Sequence, residues 1–350
     1  KQIYIVGNYE SISEKFSLLQ CASRDDLKIS YVNEETLHGT AGSLIYLKKN
    51  SLIDKYDTLI ISHGDVVCDF PFSEMVEYQK QIESDSPQNV LLVTHAPKDV
   101  SHHFGSIVSD NCSRVIHYVE KPHTCISNQI NAGIAVFDSS ILDILLNIAS
   151  KNESPNLDLG RDLYPVLVEN KSLFAFHLNS TWCSVKNPSG ALHANKLLLA
   201  LVGNSNSPNC ALTGQVYVHE TAIIDPSAFI GPNVSIGAGC VVKSGVRISE
   251  SILLNGSVIN ENCLIKDSIV GIDCVIEPWC RIEGKHTDEY FDYFRKVKGK
   301  YSYFTVGGKL YPSVTVLGSN VVVRKMQMIY NSIILPFKDI AFDCTSEIIL

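Results

Sequence analysis

From Val218 onward an aliphatic residue recurs at every sixth position: Val218, Ile224, Ile230, Ile236, Val242, Ile248 and Leu254. Neither the helix period of 3.6 nor the strand period of 2 accounts for that spacing. A hexad repeat with small residues between is the mark of a parallel β-helix, in which each coil stacks on the last. Four residues after each aliphatic position comes a small or branched one: Ala222, Ala228, Val234, Cys240, Val246, Ile252 and Val258. Gly and Pro follow often, as in Ile230-Gly231-Pro232, and turn the corners between short strands. The phase slips after Leu254, resumes at Ile259 and Ile265, and slips again at Val270. It runs on through Ile276 and Ile282, breaks for about thirty residues, and returns at Leu317, Val323, Ile329 and Leu335. Residues 215–350 are therefore expected to form a left-handed parallel β-helix with an inserted loop at 285–312.

Composition narrows what the chain can do. Its 350 residues have room for two domains. A net charge of −8 argues against a nucleic-acid or anionic-membrane partner. No apolar run approaches the ~20 residues that span a bilayer. No signal peptide is visible, so a cytoplasmic location is expected. Of the eleven cysteines, Cys240, Cys263, Cys274 and Cys280 fall on the small inward position of the hexads. No CxxC pair occurs, so the thiols read as compact buried hydrophobes, not zinc ligands. His219, at the entrance to the first coil, reads as a corner residue, not the histidine of a β-helix acyltransferase.

Over the first two hundred residues strand-like and helix-like runs alternate. Strands are expected at Ile3–Val6, Lys28–Val32, Thr58–Ser62, Asn89–Thr94, Gly105–Val108 and Ile134–Phe137. Helices are expected at Ile12–Ala22, Ala41–Lys49, Phe72–Gln81, Ser140–Ala149, Asp158–Glu169 and Gly190–Leu201. The alternation predicts an α/β domain over 1–202, its sheet predominantly parallel, with hairpins after residue 100. A polar linker over 203–214, rich in Asn, Ser and Pro, separates it from the coils.

Four constellations fall at strand ends of that domain, where α/β sheets bind ligands. Leu37-His38-Gly39-Thr40-Ala41-Gly42 opens a helix, and its amides suit a base or a phosphate. It also reads as an ordinary helix start capped by Thr40. His63-Gly64-Asp65-Val66 places a carboxylate at a strand end, as a divalent cation or a plain turn would need. Glu120-Lys121-Pro122 offers an acceptor for sugar hydroxyls and a cation for phosphate. Asn131-Ala132-Gly133 offers an amide, donor and acceptor at once.

Taken together, the four resemble the sugar-1-phosphate nucleotidyltransferases, a family with a Rossmann-like mixed sheet. With a β-helix behind them they resemble more narrowly the GDP-mannose pyrophosphorylases, or mannose-1-phosphate guanylyltransferases, and among these the alpha subunits. The alpha-like pieces are Asp69-Phe70-Pro71, His117 through Pro122, and the closing run from Asn331-Ser332-Ile333 to Leu350. The resemblance covers essentially the whole chain and implies a complete C-terminus. It implies that Gly39, Thr40, Gly42 and Asp65 contact nucleotide, and that Gly105, Glu120, Lys121 and Asn131 contact sugar and phosphate.

Two departures bear on activity. Active members open with a strand and a Gly-rich, Arg-containing loop, followed by a Pro-Lys-Pro element. Here the chain begins at Lys1 and runs at once into Ile3-Tyr4-Ile5-Val6, which reads as a fragment or a gene model short of its first exon. Active members also carry a second metal-binding Asp in a Trp-x-Asp-[Ile/Val]-Gly run. The matching run is Trp182-Cys183-Ser184-Val185-Lys186, so Ser184 stands where the carboxylate belongs and Lys186 where the Gly belongs. Only a weak, partial Mg2+ site at Asp65 is expected. Phosphoryl transfer depends on metal-borne charge stabilisation, and losing half of it costs on the order of 10³-fold in rate.

The resemblance therefore implies a regulatory subunit, not catalytic by itself, that binds GDP-mannose or a related GDP-sugar and modulates a catalytic beta-like subunit in homo- and hetero-oligomers. The competing readings are an active guanylyltransferase, making GDP-mannose and pyrophosphate from GTP and mannose 1-phosphate, and a scaffold that binds neither. Retention of Gly39, Gly42, Glu120, Lys121 and Asn131 speaks against the scaffold. The break in the hexads holds Tyr290, Phe291, Tyr293, Phe294 and Arg295, with Tyr301, Tyr303 and Phe304 beyond. Aromatics beside Arg and Lys are what interfaces use as anchors, so this loop is expected to meet the partner subunit.

Overall fold

The computed structural model describes residues 2–8, 27–34, 38–53, 56–82, 87–98, 100–151, 156–202, 210–285, 296–297, 300–301, 304–305 and 307–350. They form two compact units, Lys1–His63 with Pro71–Asn179, and Gly64–Phe70 with Ser180–Leu350. Before the coils run β1 (Gln2–Gly7), β2 (Lys28–Asn33), β3 (Thr58–Ser62), β4 (Val66–Val67), β5 (Asn89–His95), β6 (Ser106–Ser109), β7 (Val115–Val119), β8 (Gln129–Asp138), β9 (Leu173–His177) and β10 (Cys183–Ser184).

In the first unit β1 and β2 pair in parallel, and β7-β6-β8-β5-β9 with β3 on β8 form a six-stranded sheet. The sheet is mixed. The expectation that parallel pairing predominates is corrected, because of the pairings in the six-stranded sheet only β5–β9 is parallel. The long strand β8 is the reason. It runs antiparallel to β3, β5 and β6 at once, so every pairing that it makes is antiparallel.

Strand β5 is buried from Asn89 to Thr94 because both of its faces are covered. That explains a run of Val-Leu-Leu-Val with no polar alternation. Helices Gly39–Lys49, Ile141–Lys151 and Tyr164–Glu169 bury Leu44, Leu47, Ile141, Leu145 and Leu167 into one core with Leu91, Val93, Ile107 and Phe137. Each such side chain contributes about 1.5–3 kcal/mol.

Thr58–Ser62 and Phe72–Gln81 form at their expected limits. The expected helix at Ile12–Ala22 lies outside the described residues. Asp158–Glu169 is not one α-helix. Asp158 accepts from the amides of Gly160 and Arg161 and starts a π-helical turn, Leu159–Leu163, which passes into Tyr164–Glu169. Strand β9 is absent from the sequence expectations, because the four-residue apolar run Leu173-Phe174-Ala175-Phe176 carries no period of its own.

In the second unit β4 and β10 form a short antiparallel ribbon. Helix Pro188–Val202 also falls here and not with the α/β unit. Its Asn195 Nδ2 donates to the Asn233 carbonyl at 3.3 Å, which ties it to the coils. The coils form three parallel sheets of seven, seven and six strands, consistent with the left-handed β-helix that the hexads predict. Ile230, Ile236, Val242, Ile248, Ile259, Ile265, Val270, Ile276 and Ile282 point inward and are buried. The phase slip comes one hexad earlier than the sequence suggests. Leu253 and Ile334 are buried, whereas Leu254 and Leu335 are exposed. Ser251 and Ser257, not Ile252 and Val258, fill the small inward positions. The cause is register: Ile236 pairs with Leu253 and Leu253 with Val270, which sets a coil of 17 residues once the five-residue step is taken.

The inward cysteines are buried as expected, and they also donate. Cys240 Sγ reaches the Leu254 carbonyl at 3.1 Å, Cys263 the Glu277 carbonyl at 3.1 Å, Cys274 that of Gly318 at 3.0 Å and Cys280 that of Arg324 at 2.9 Å. Ser257, in the column of Cys240 and Cys274, does likewise, to Gly271 at 2.6 Å. His219 sits in the turn it was expected to occupy, its Nδ1 2.9 Å from Thr221 Oγ1.

At the base of the insertion the Lys285 amide donates to the Ser313 carbonyl at 2.8 Å. Buried Asn331 donates to the Tyr311 carbonyl at 3.2 Å, and the Leu310 amide donates to the Ser346 carbonyl at 2.9 Å. Tyr290, Phe291, Tyr293, Phe294 and Arg295 lie outside the described residues.

Candidate functional site

A pocket of about 420 Å³ opens in the first unit, lined by Gly39, Glu120, Lys121, Asn156, Leu157, Asp158 and Arg161. Its floor is made by the segment ahead of the π-helical turn, which runs against the start of helix Gly39–Lys49. The Leu157 carbonyl accepts from the amides of Ala41 at 3.0 Å and Gly42 at 3.3 Å, and the Leu157 amide donates to His38 at 2.9 Å. Thr40 Oγ1 donates to Asp158 Oδ2 at 2.9 Å and accepts from the Leu159 amide at 2.9 Å. Of the residues expected at the nucleotide, Gly39 lines the pocket, Thr40 is bonded to its Asp158 wall, and Gly42 is buried with its amide engaged.

Glu120 and Lys121 also line the pocket. They follow directly on β7, and Lys121 Nζ lies 3.3 Å from Glu120 Oε1. The other carboxylate oxygen, Oε2, accepts from Tyr118 at 2.7 Å. Asn131, on β8, donates through Nδ2 to the same Tyr118 hydroxyl at 3.3 Å and accepts from the Gly133 amide at 2.8 Å. The Asn131 amide donates to the Gly105 carbonyl at 2.9 Å. The structure thus gathers Gly105, Glu120 and Asn131 around Tyr118, with Lys121 beside Glu120; of these, Glu120 and Lys121 line the pocket. Burial, then the charge of Glu120, pushes the Tyr118 hydroxyl well above the ordinary tyrosine range, so it stays a donor at neutral pH.

Sequence reading missed Tyr118, Asn156, Leu157, Asp158 and Arg161. Arg161 adds a second cation to the pocket, held at 2.9 Å by Asp162 Oδ2 and at 2.9 Å by the Asn156 carbonyl. The available signal was the break of helical pattern at Gly160 within Asp158–Glu169.

The second unit holds Asp65. Register of β10 on β4 sets Ser184 opposite Val66, and Val185 donates to the Asp65 carbonyl at 2.6 Å. Ser184 Oγ then donates to Asp65 Oδ2 at 3.1 Å. Next to it, burial and then the Asp65 charge push the Cys183 thiol up to about 11. No group of three or more His, Cys, Asp or Glu is placed to hold a metal among the described residues. One carboxylate with a hydroxyl bonded to it is a poor donor set for Mg2+, which favours carboxylates and phosphates.

Residues 1–200 match the nucleotidyl transferase family, and residues 212–349 match the GMPPB C-terminal domain. Over its whole length, and over 88% of theirs, the chain is 32% identical to mannose-1-phosphate guanylyltransferase regulatory subunit alpha-A of Danio rerio and to the regulatory subunit alpha of Homo sapiens. Among solved structures, HddC from Yersinia pseudotuberculosis superposes with a TM-score of 0.42 at 18% identity, over 55% of this chain and 76% of that one. That last likeness is too loose to bear on function. No helix among the described residues is long and apolar enough to cross a membrane.

Proposed function

Since this chain belongs to the nucleotidyltransferase family, in the branch of the mannose-1-phosphate guanylyltransferase alpha subunits, we propose that it is a regulatory subunit that binds GDP-mannose or a related GDP-sugar and does not catalyse the transfer itself. It works in the cytoplasm beside a catalytic beta-like subunit, whose activity its bound nucleotide sugar modulates. The observation that carries this reading is Ser184. Its hydroxyl hydrogen-bonds Asp65 where an active enzyme needs a second carboxylate. The transferring phosphoryl group then lacks much of the metal charge that stabilises its transition state.

The ligand side rests on different residues. Lys121 supplies positive charge for a phosphate, and Glu120 and Asn131 supply an acceptor and an amide for sugar hydroxyls. A pocket of about 420 Å³ has room for a sugar and part of a diphosphate. A scaffold with no ligand has no use for this arrangement.

Two measurements test the proposal. Titration calorimetry with GDP-mannose should give binding that weakens at least tenfold in Lys121→Ala and Asn131→Ala. Pyrophosphate release from GTP and mannose 1-phosphate with Mg2+ should be absent. Equal affinity in parent and variants places the ligand elsewhere, and turnover in the usual enzyme range of ~1–10³ s⁻¹ restores the catalytic reading.

A further inference from the structure

Tyr118 joins the two residues that the proposed sugar pocket relies on. Its side chain is 5% exposed and stands edge-on to Tyr164, with ring centroids 5.0 Å apart. The hydroxyl has one proton to give, and it goes to Glu120 Oε2 at 2.7 Å. A lone pair receives Asn131 Nδ2 at 3.3 Å. The Gly133 amide donates to Asn131 Oδ1 at 2.8 Å, which settles the orientation of that side-chain amide. The result is a directed chain of donors from Gly133 through Asn131 and Tyr118 to Glu120. With Oε2 occupied, Glu120 keeps Oε1 for Lys121, 3.3 Å away, and for a ligand.

Two glycines make room for this contact. A Cβ on Gly105 would lie 2.1 Å from the Tyr118 hydroxyl oxygen and 3.0 Å from Glu120 Oε2. A Cβ on Gly160 would lie 2.3 Å from Glu120 Oε2. The hydroxyl and the carboxylate are thus lodged between two stretches of backbone that carry no side chain at those points. An ordinary surface carboxylate is free to change rotamer; this one is held in one.

We propose that Tyr118 is a positioning residue for the sugar half of the ligand: by fixing Glu120, with Asn131 as its own donor, it presents Oε1 in the geometry that receives a sugar hydroxyl. It touches no ligand itself. The proposal rests on the reading of this pocket as a nucleotide-sugar site, and it predicts a split that general loss of stability does not produce. A group that acts through Glu120 affects a nucleotide sugar but not the nucleotide alone.

The test is calorimetry with GDP-mannose and with GDP on the parent chain, Tyr118→Phe, Glu120→Ala and the double variant, with melting temperatures alongside. Tyr118→Phe should lose at least tenfold in affinity for GDP-mannose and stay within twofold for GDP. In the Glu120→Ala background the added Tyr118→Phe should change GDP-mannose affinity by less than twofold, since coupled residues are not additive. Should Tyr118→Phe not fold, Gly160→Ala breaks the same contact from the carboxylate side, and the same split is expected of it. Parent-like GDP-mannose binding in whichever variant folds overturns the positioning role, as does an equal loss for both ligands or a full additional loss in the double variant. Absence of GDP-mannose binding by the parent chain overturns the pocket reading and this proposal with it.

Discussion

The Ser184 hydroxyl donates to Asp65 Oδ2 at 3.1 Å, and the β4–β10 ribbon fixes the two residues side by side. On the proposed reading Ser184 stands at the place of a second metal carboxylate and brings no charge to it. Ser184→Asp should restore part of a divalent site, with at least tenfold tighter Mn2+ binding by calorimetry, or about 1.4 kcal/mol. Unchanged affinity would mean that the lost charge is not what limits the site.

The coil cysteines are interior donors, so their chemistry differs from that of the surface thiols. Cys112 and Cys125 are exposed and should react with a thiol reagent in the native protein. Cys240, Cys263, Cys274, Cys280 and Cys344 are buried and should react only after unfolding. Cys240→Ser keeps a donor for the Leu254 carbonyl and should cost under ~1.5 kcal/mol. Cys240→Leu overpacks the coil and should cost ~1–3 kcal/mol by denaturant unfolding. Equal losses would show that neither the donor nor the volume matters there.

Arg324 bridges three successive coils, reaching Glu277 at 2.9 Å and Asp339 through Nε at 2.8 Å. Hydrogen bonds from Arg324 hold both carboxyls below their usual range. Depressed carboxyls contribute stability that is present above their unfolded values and lost as pH falls through the folded ones. Arg324→Met should thus melt below the parent at pH 7, and the gap should close as pH falls below the ordinary carboxyl values of about 4. The groups are exposed, so salt should narrow the gap as well. A gap independent of both pH and salt would assign the effect to packing of the arginine stem.

The insertion is anchored at its base by Lys285–Ser313 and by Asn331, with Leu310 buried beside them. Removing 286–303 and joining the ends with a short Gly/Ser turn should leave the coils folded, with melting within a few degrees of the parent. Co-purification with the catalytic subunit should fall. A deletion that co-purifies as well as the parent shows that the partner binds elsewhere.

What the sequence determined by itself is what local spacing encodes. A six-residue period can be satisfied only by stacked coils, because one wall of a coil consumes about that length, and so the β-helix was legible before any contact was known. Phe72–Gln81 was legible for the same reason, its apolar residues carrying the helix period, and Thr58–Ser62 as an aliphatic run closed by Ser-His-Gly. The substitution at Ser184 was visible through the resemblance, though not its hydrogen bond to Asp65. The tertiary structure decided everything that depends on pairs distant in the chain. Coil register, and not the hexad count, chose Leu253 over Leu254 for the interior. The antiparallel partners of β8 made the sheet mixed. The bond from Thr40 to Asp158 spans 118 residues and builds a pocket wall from a stretch that reads as plain helix. Tyr118 belongs to a run that carries the resemblance but has no role of its own until folding brings Asn131 and Glu120 to its hydroxyl. Periodicity reports which face of an element is buried; it holds no information about which other element will meet that face.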